Sequence, residues 1–119
     1  MSKVKRKLTT ILATDCVGFS KRMDENEELT LENLKACRSI IDPQIKEFGG
    51  RIFYTAGDSV IAEFESPVEC VNAAIGFQKA INDRNNTLSE ESQLDWRVGI
   101  HPVSYTHLRA HGPLYISYA

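Results

Sequence analysis

Residues 8–15 are apolar at nearly every position except for interspersed threonines, and they end on an aspartate. This predicts a first β-strand covered on both faces. A helical pattern follows, with Leu31, Leu34, Cys37, Ile41, Ile45 and Phe48 recurring at three- and four-residue spacing behind an acidic lead at 24–28 that suits a helix N-terminus. Pro43 falls inside this run and is expected to kink it or split it in two, because it removes a backbone donor. Gly49-Gly50 ends the run, glycine being suited to a left-handed cap. Residues 51–56 and 59–64 are β-type runs flanking Gly57-Asp58, a spacing that predicts a tight hairpin with glycine where a type II′ turn needs it. Ser66-Pro67-Val68-Glu69 is a capping box with proline at the first helical position, and Val71, Ala74, Ile75, Gln78 and Ile81 carry that helix to about residue 84. Residues 85–91 are polar and loop-like, and 95–101 alternate as a fourth strand.

The order βαββαβ predicts an α+β, ferredoxin-like fold, an antiparallel sheet with helices on one face and the first strand lying centrally beside the third. That topology brings the end of strand one and the turn between strands two and three to the same edge of the sheet. Asp15 and Asp58 are then expected within a few ångströms of each other. Two carboxylates so close repel unless a cation lies between them, and hard oxygen ligands without histidine favour magnesium or manganese. A pair of such ions can activate an attacking hydroxyl and neutralise a leaving pyrophosphate. Gly18, just past the strand, adds a turn and a helix start whose backbone N–H groups suit a triphosphate. Taken singly these features have ordinary uses: Asp15 as a helix cap, Gly57-Asp58 as a plain turn, Phe19 as a core aromatic.

Composition narrows the setting. At 119 residues, 42% hydrophobic and 25% charged, the chain fits one small domain. A net charge of -2 gives no footprint for nucleic acid, and the basic cluster Lys3, Lys5, Arg6 and Lys7 reads as a solvated terminus. No apolar run approaches the length of a membrane span and the first residues lack a signal-peptide core, so a cytoplasmic protein is expected. Cys16, Cys37 and Cys70 are odd in number and widely spaced, which predicts reduced, packed thiols.

The segments Ile11-Leu12-Ala13-Thr14-Asp15-Cys16-Val17-Gly18-Phe19-Ser20, Gly49-Gly50-Arg51-Ile52, Thr55-Ala56-Gly57-Asp58-Ser59-Val60 and Arg97-Val98-Gly99-Ile100-His101 together resemble the N-terminal part of a bacterial class III adenylate/guanylate cyclase catalytic domain. The resemblance implies that Asp15 and Asp58 hold two Mg2+ or Mn2+ ions, with the backbone carbonyl of Cys16 as a further ligand. It also implies that the amides of Gly18, Phe19 and Ser20 receive phosphates. The implied reaction is attack of the ribose 3′ hydroxyl on the α-phosphorus of ATP or GTP, giving the 3′,5′-cyclic nucleotide and pyrophosphate in intracellular signalling. The intact domain is expected to work as a homodimer with a shared active site.

Two departures from the family pattern stand out. Tyr54 occupies the position of the family's purine-selecting lysine; it can stack on a base or make one hydrogen bond but supplies no charge. After residue 101 the family's Gly-Asp turn and its asparagine- and arginine-bearing helix do not follow. Residues 102–119 contain none of the 16 acidic residues but two of the three histidines, His107 and His111, and three of the four tyrosines. They resemble a translated sequencing adapter. The expected organisation is therefore a partial cyclase domain over 1–101 and a non-native tail over 102–119, with the chain inactive alone. The alternative is a catalytically silent, cyclase-like nucleotide-binding or regulatory dimerisation module. A diguanylate cyclase-type enzyme fits less well, because the Gly-Gly-Asp-Glu-Phe hairpin is absent, and an RNA-binding domain less well again.

Overall fold

A computed structural model describes residues 5–107, with side chains described from residue 8 to residue 104. The elements are β1 (Lys5–Cys16), α1 (Phe19–Glu25), α2 (Glu27–Glu47), β2 (Arg51–Ala56), β3 (Ser59–Phe64), α3 (Pro67–Asn85) and β4 (Trp96–His107), with one 3₁₀ turn over Glu90–Ser92 before β4. The sheet order is β2-β3-β1-β4 and every neighbouring pair is antiparallel. This is the ferredoxin-like arrangement expected from the sequence, with three helices packed on a four-stranded sheet.

β1 is the keystone strand. It pairs with β3 on one side and with β4 on the other, and Thr9 to Thr14 are all buried. Its alternating positions Leu12 and Cys16 join the helix-side core with Val60, Ala62 and Phe64 of β3 and Trp96 of β4. Against that face α2 sets Cys37, Ile41 and Ile45, and α3 sets Cys70, Ala73, Ala74, Phe77 and Ile81. β3 alternates half-buried and buried residues along its whole length, as a strand with one face on a core must.

Several boundaries differ from the sequence reading. The helical region after β1 is two helices, not one: Asn26, in an extended conformation, ends α1 and caps α2, its side chain accepting the Leu29 amide at 3.1 Å. Asp24 and Glu25 therefore close α1, and only Glu27 and Glu28 lie in the first turn of α2. Pro43 does not split α2, which runs through it to Glu47. Ile41 and Ile45, two residues to either side, are fully buried, and their packing holds the backbone helical across the missing donor. β1 begins three residues before the expected start. β4 runs six beyond its expected end, through Pro102 to His107, paired throughout with β1. The expectation of a separate tail over 102–119 thus meets a strand in its first six residues; positions 108–119, including His111, and the side chains of Lys3, Lys5, Arg6, Lys7 and His107 lie outside the described region.

The α3 cap is as expected, with the Ser66 hydroxyl accepting the Glu69 amide at 3.2 Å and Pro67 at the helix start. The glycine pair after α2 divides its work. Gly49 takes a left-handed φ of 82°, while Gly50 lies where any side chain would strike the core. A Cβ at Gly50 would stand 2.6 Å from Phe64 Cε2 and 2.7 Å from Ile45 Cγ2, both fixed in the core. At Gly76 in α3 the nearest obstacle is the movable end of the Gln44 side chain. Gly50→Ala is expected to lower stability by about 1–3 kcal/mol through overpacking, whereas Gly76→Ala is expected to be neutral or to stabilise by up to about 1 kcal/mol. Urea unfolding of the two variants beside the parent chain measures both.

Candidate functional site

β1 delivers Asp15 and Cys16 at its carboxyl end, and the β2–β3 turn delivers Asp58 to the same place. Gly57 supplies the positive φ, 57°, that a two-residue primed turn demands at its first position. The turn is locked onto the strand end by a direct bond: the Cys16 backbone N–H donates to Asp58 Oδ2 at 2.8 Å. A charged acceptor on a main-chain amide is a strong and directional contact, so it fixes the hairpin tip against β1.

Asp15 has a different partner. β4 runs antiparallel to β1 in a register that sets Arg97 opposite Asp15, and Arg97 Nε donates to Asp15 Oδ1 at 2.9 Å. The Thr14 hydroxyl donates to the Arg97 carbonyl at 2.7 Å, and the Val17 amide donates to the Asp95 carbonyl at 2.8 Å, so the backbone of β4 is pinned on both sides of this pair. The bond to Asp15 raises the pKa of the Arg97 guanidinium, as do the charges of Asp15 and, more weakly, Asp58. Arg97 thus feels both carboxylates. The sequence places it only within the 97–101 segment and gives it no role, because the β1–β4 register is what sets it against Asp15.

Gly18 follows in a left-handed conformation, φ 67° and ψ 28°, and is the residue from which α1 starts. Phe19 leans on the core, half-buried, and Ser20 is exposed. An open groove beside Gly18 runs between α1 and the 3₁₀ turn. Arg22 crosses it to donate to the carbonyls of Glu90 and Glu91, both at 3.2 Å. Tyr54 lies on β2 opposite Ile61, 53% exposed, and makes no side-chain hydrogen bond to the carboxylates. The structure therefore brings Asp15, Cys16 and Asp58 together at one sheet edge, sets Gly18 to Ser20 immediately beyond, and leaves Tyr54 outside that bonded group.

The donor set fits a hard divalent cation. Asp15 and Asp58 each keep one carboxylate oxygen with no hydrogen-bond partner among the described residues, and the Cys16 carbonyl would add a third oxygen. Among those residues no group of three or more His, Cys, Asp or Glu side chains gathers as a metal cluster. The Cys16 thiol does not compete as a soft ligand. Burial, reinforced by the charge of Asp58, pushes it up to about 12, and its S–H faces the Val17 carbonyl at 3.7 Å.

No family model matches the chain. Over 98 residues it is 36% identical to "Putative adenylate cyclase 3" of Rhizobium meliloti (strain 1021), a match spanning 82% of this chain and 17% of that protein. Over 101 residues it is 30% identical to the serine/threonine-protein kinase pkn2 of Myxococcus xanthus, spanning 84% of this chain and 12% of the kinase. Among solved structures it resembles an adenylate/guanylate cyclase/hydrolase from Silicibacter pomeroyi, with a TM-score of 0.77 and 31% identity over 87% of this chain and 61% of that one. The chain spans less than two thirds of each of these relatives.

The buried thiols set a pH limit on this region. Burial pushes Cys70 up to about 11, as it pushes Cys16 to about 12, from 9.0 for an ordinary thiol. The folded chain therefore holds these protons where the unfolded chain releases them. Their contribution to stability is complete below pH 9 and is lost as pH rises through 9 towards 11 and 12. By pH 10 each thiol is expected to cost about 1 kcal/mol of stability relative to pH 8. Urea midpoints at the two pH values measure this, and Cys70→Ala should flatten the dependence.

Proposed function

Because the chain belongs by sequence and fold to the bacterial adenylate/guanylate cyclase domains, of which it spans a part, we propose that it supplies the metal-binding end of a nucleotide cyclase site. The observation that carries the reading is the bond from the Cys16 amide to Asp58, which holds the two aspartate segments together at the sheet edge beside Asp15. Asp15, Asp58 and the Cys16 carbonyl would hold Mg2+ or Mn2+. When bound, two such ions would activate the ribose 3′ hydroxyl and neutralise the pyrophosphate leaving from the α-phosphorus of ATP or GTP.

The chain's own residues prepare that site in three ways. The Asp58–Cys16 bond orients one carboxylate before any ligand arrives, so little is lost in ordering it. Gly18, left-handed, turns the backbone so that the amides of Gly18, Phe19 and Ser20 follow directly on the carboxylates, where phosphate oxygens would be received. Tyr54 would meet the base by stacking or through its hydroxyl, without the charge of a lysine. The remaining contacts to ribose and transition state would come from residues beyond 101 in the native gene and from a second copy in a homodimer. The 119-residue chain alone would then be inactive, with 102–119 taking no part in the reaction. A cytoplasmic signalling role accompanies this reading. Among the described residues no helix is long and apolar enough to cross a membrane.

Tyr54, standing where the family has its purine-selecting lysine, also favours a second reading, a silent module that binds nucleotide or regulates a partner without turnover. The two separate in one experiment: residues 1–101 are joined to the residues that follow them in the native gene, and Mn-ATP and Mn-GTP turnover is assayed. Cyclic nucleotide formation that falls at least about 100-fold in Asp58→Ala supports the cyclase. Nucleotide binding without turnover supports the module, and a downstream segment lacking the Gly-Asp turn and the asparagine and arginine of the family sinks the cyclase reading.

A further inference from the structure

Arg97 pairs with Asp15 at the carboxyl end of β1. Its Nε–H donates to Asp15 Oδ1 at 2.9 Å, directly across the β1–β4 pair, and Asp58 adds more weakly to the field that raises its pKa. Two carboxylates brought to one edge repel, and this guanidinium, ion-paired with Asp15, supplies compensation built into the fold. The other functional groups of the edge do not serve: the Cys16 amide satisfies Asp58 without adding a net charge, and the buried thiol stays protonated.

We propose that Arg97 is the resident counter-cation of Asp15, competing with the divalent ion for that carboxylate. The proposal rests on the metal reading of the site. Arg97 is a positioning residue here: its bond to Asp15 Oδ1 holds that carboxylate at the sheet edge, and its charge opposes a divalent ion at the same place. The competition is built to yield. The Arg97 side chain is 69% exposed and that of Asp15 35%, so the ion pair is weakened by solvent and salt and a divalent ion can outbid it. The chain thereby keeps its acidic edge formed at low metal concentration and sets a threshold above which the ion takes over.

The test is binding of Mn2+ alone to the nucleotide-free 119-residue chain, read from the electron paramagnetic resonance signal of the free ion at low salt. Arg97→Gln removes the charge and keeps a donor; it is expected to bind Mn2+ about fivefold more tightly than the parent, an effect that shrinks at high salt as a screened charge requires. Arg97→Lys keeps the charge and should bind like the parent, while Asp15→Asn should bind at least about tenfold more weakly. Circular dichroism checks that each variant is folded. Equal or weaker binding by Arg97→Gln overturns the proposal and leaves the metal reading intact. Absence of Mn2+ binding in both the parent and Arg97→Gln overturns the metal reading and the proposal together.

Discussion

The bond between the Cys16 amide and the Asp58 carboxylate is the contact on which the functional edge depends. It joins the end of the most buried strand to the tip of a hairpin that otherwise contacts it only through the β1–β3 ladder, and that ladder stops at Thr14 and Val60. Without it the turn would project past the sheet with its carboxylate free to wander. With it, the carboxylate is held by a charge-assisted hydrogen bond to the residue that follows Asp15. The left-handed Gly57 and the buried face of β3 make this placement possible, since one aims the turn and the other fixes the strand that carries it.

Behind that contact is a core that leaves β1 little freedom. Leu12 and Cys16 face α2 and α3, and Ala13 and Thr14 between them are buried as well. A residue at the end of such a strand inherits its rigidity, which is what a site needs from its scaffold. The far side is secured from β4, where the Thr14 hydroxyl donates to the main-chain carbonyl of Arg97 and the Val17 amide to that of Asp95. Asn85, at the end of α3, donates to the Leu94 carbonyl and accepts its amide, which sets where β4 begins and so indirectly which residue faces Asp15.

Much of this was legible along the chain because local chemistry acts over a few residues. The Ser66 cap, the alternation of β3 and the hairpin at Gly57-Asp58 each depend on neighbours in sequence, and each is present where its residues predict it. The break at Asn26 was missed because the acidic run around it reads as one continuous helix start. The signal was the asparagine itself, a residue that both ends and caps helices. At Pro43 the local rule allowed a kink or a split, and α2 runs through unsplit between the buried Ile41 and Ile45.

The sequence by itself determined the element types, the sheet topology they imply and the presence of two aspartates at strand and turn ends, because periodicity, capping and turn preferences are short-range properties. Only the tertiary structure decided the register. That Arg97 lies opposite Asp15, that β4 continues to His107 against the start of β1, and that Asp58 bonds the Cys16 amide all follow from strands far apart in sequence sliding to one alignment. The alignment is chosen by the packing of buried faces, since a shift of one residue would turn each strand's apolar set away from the core.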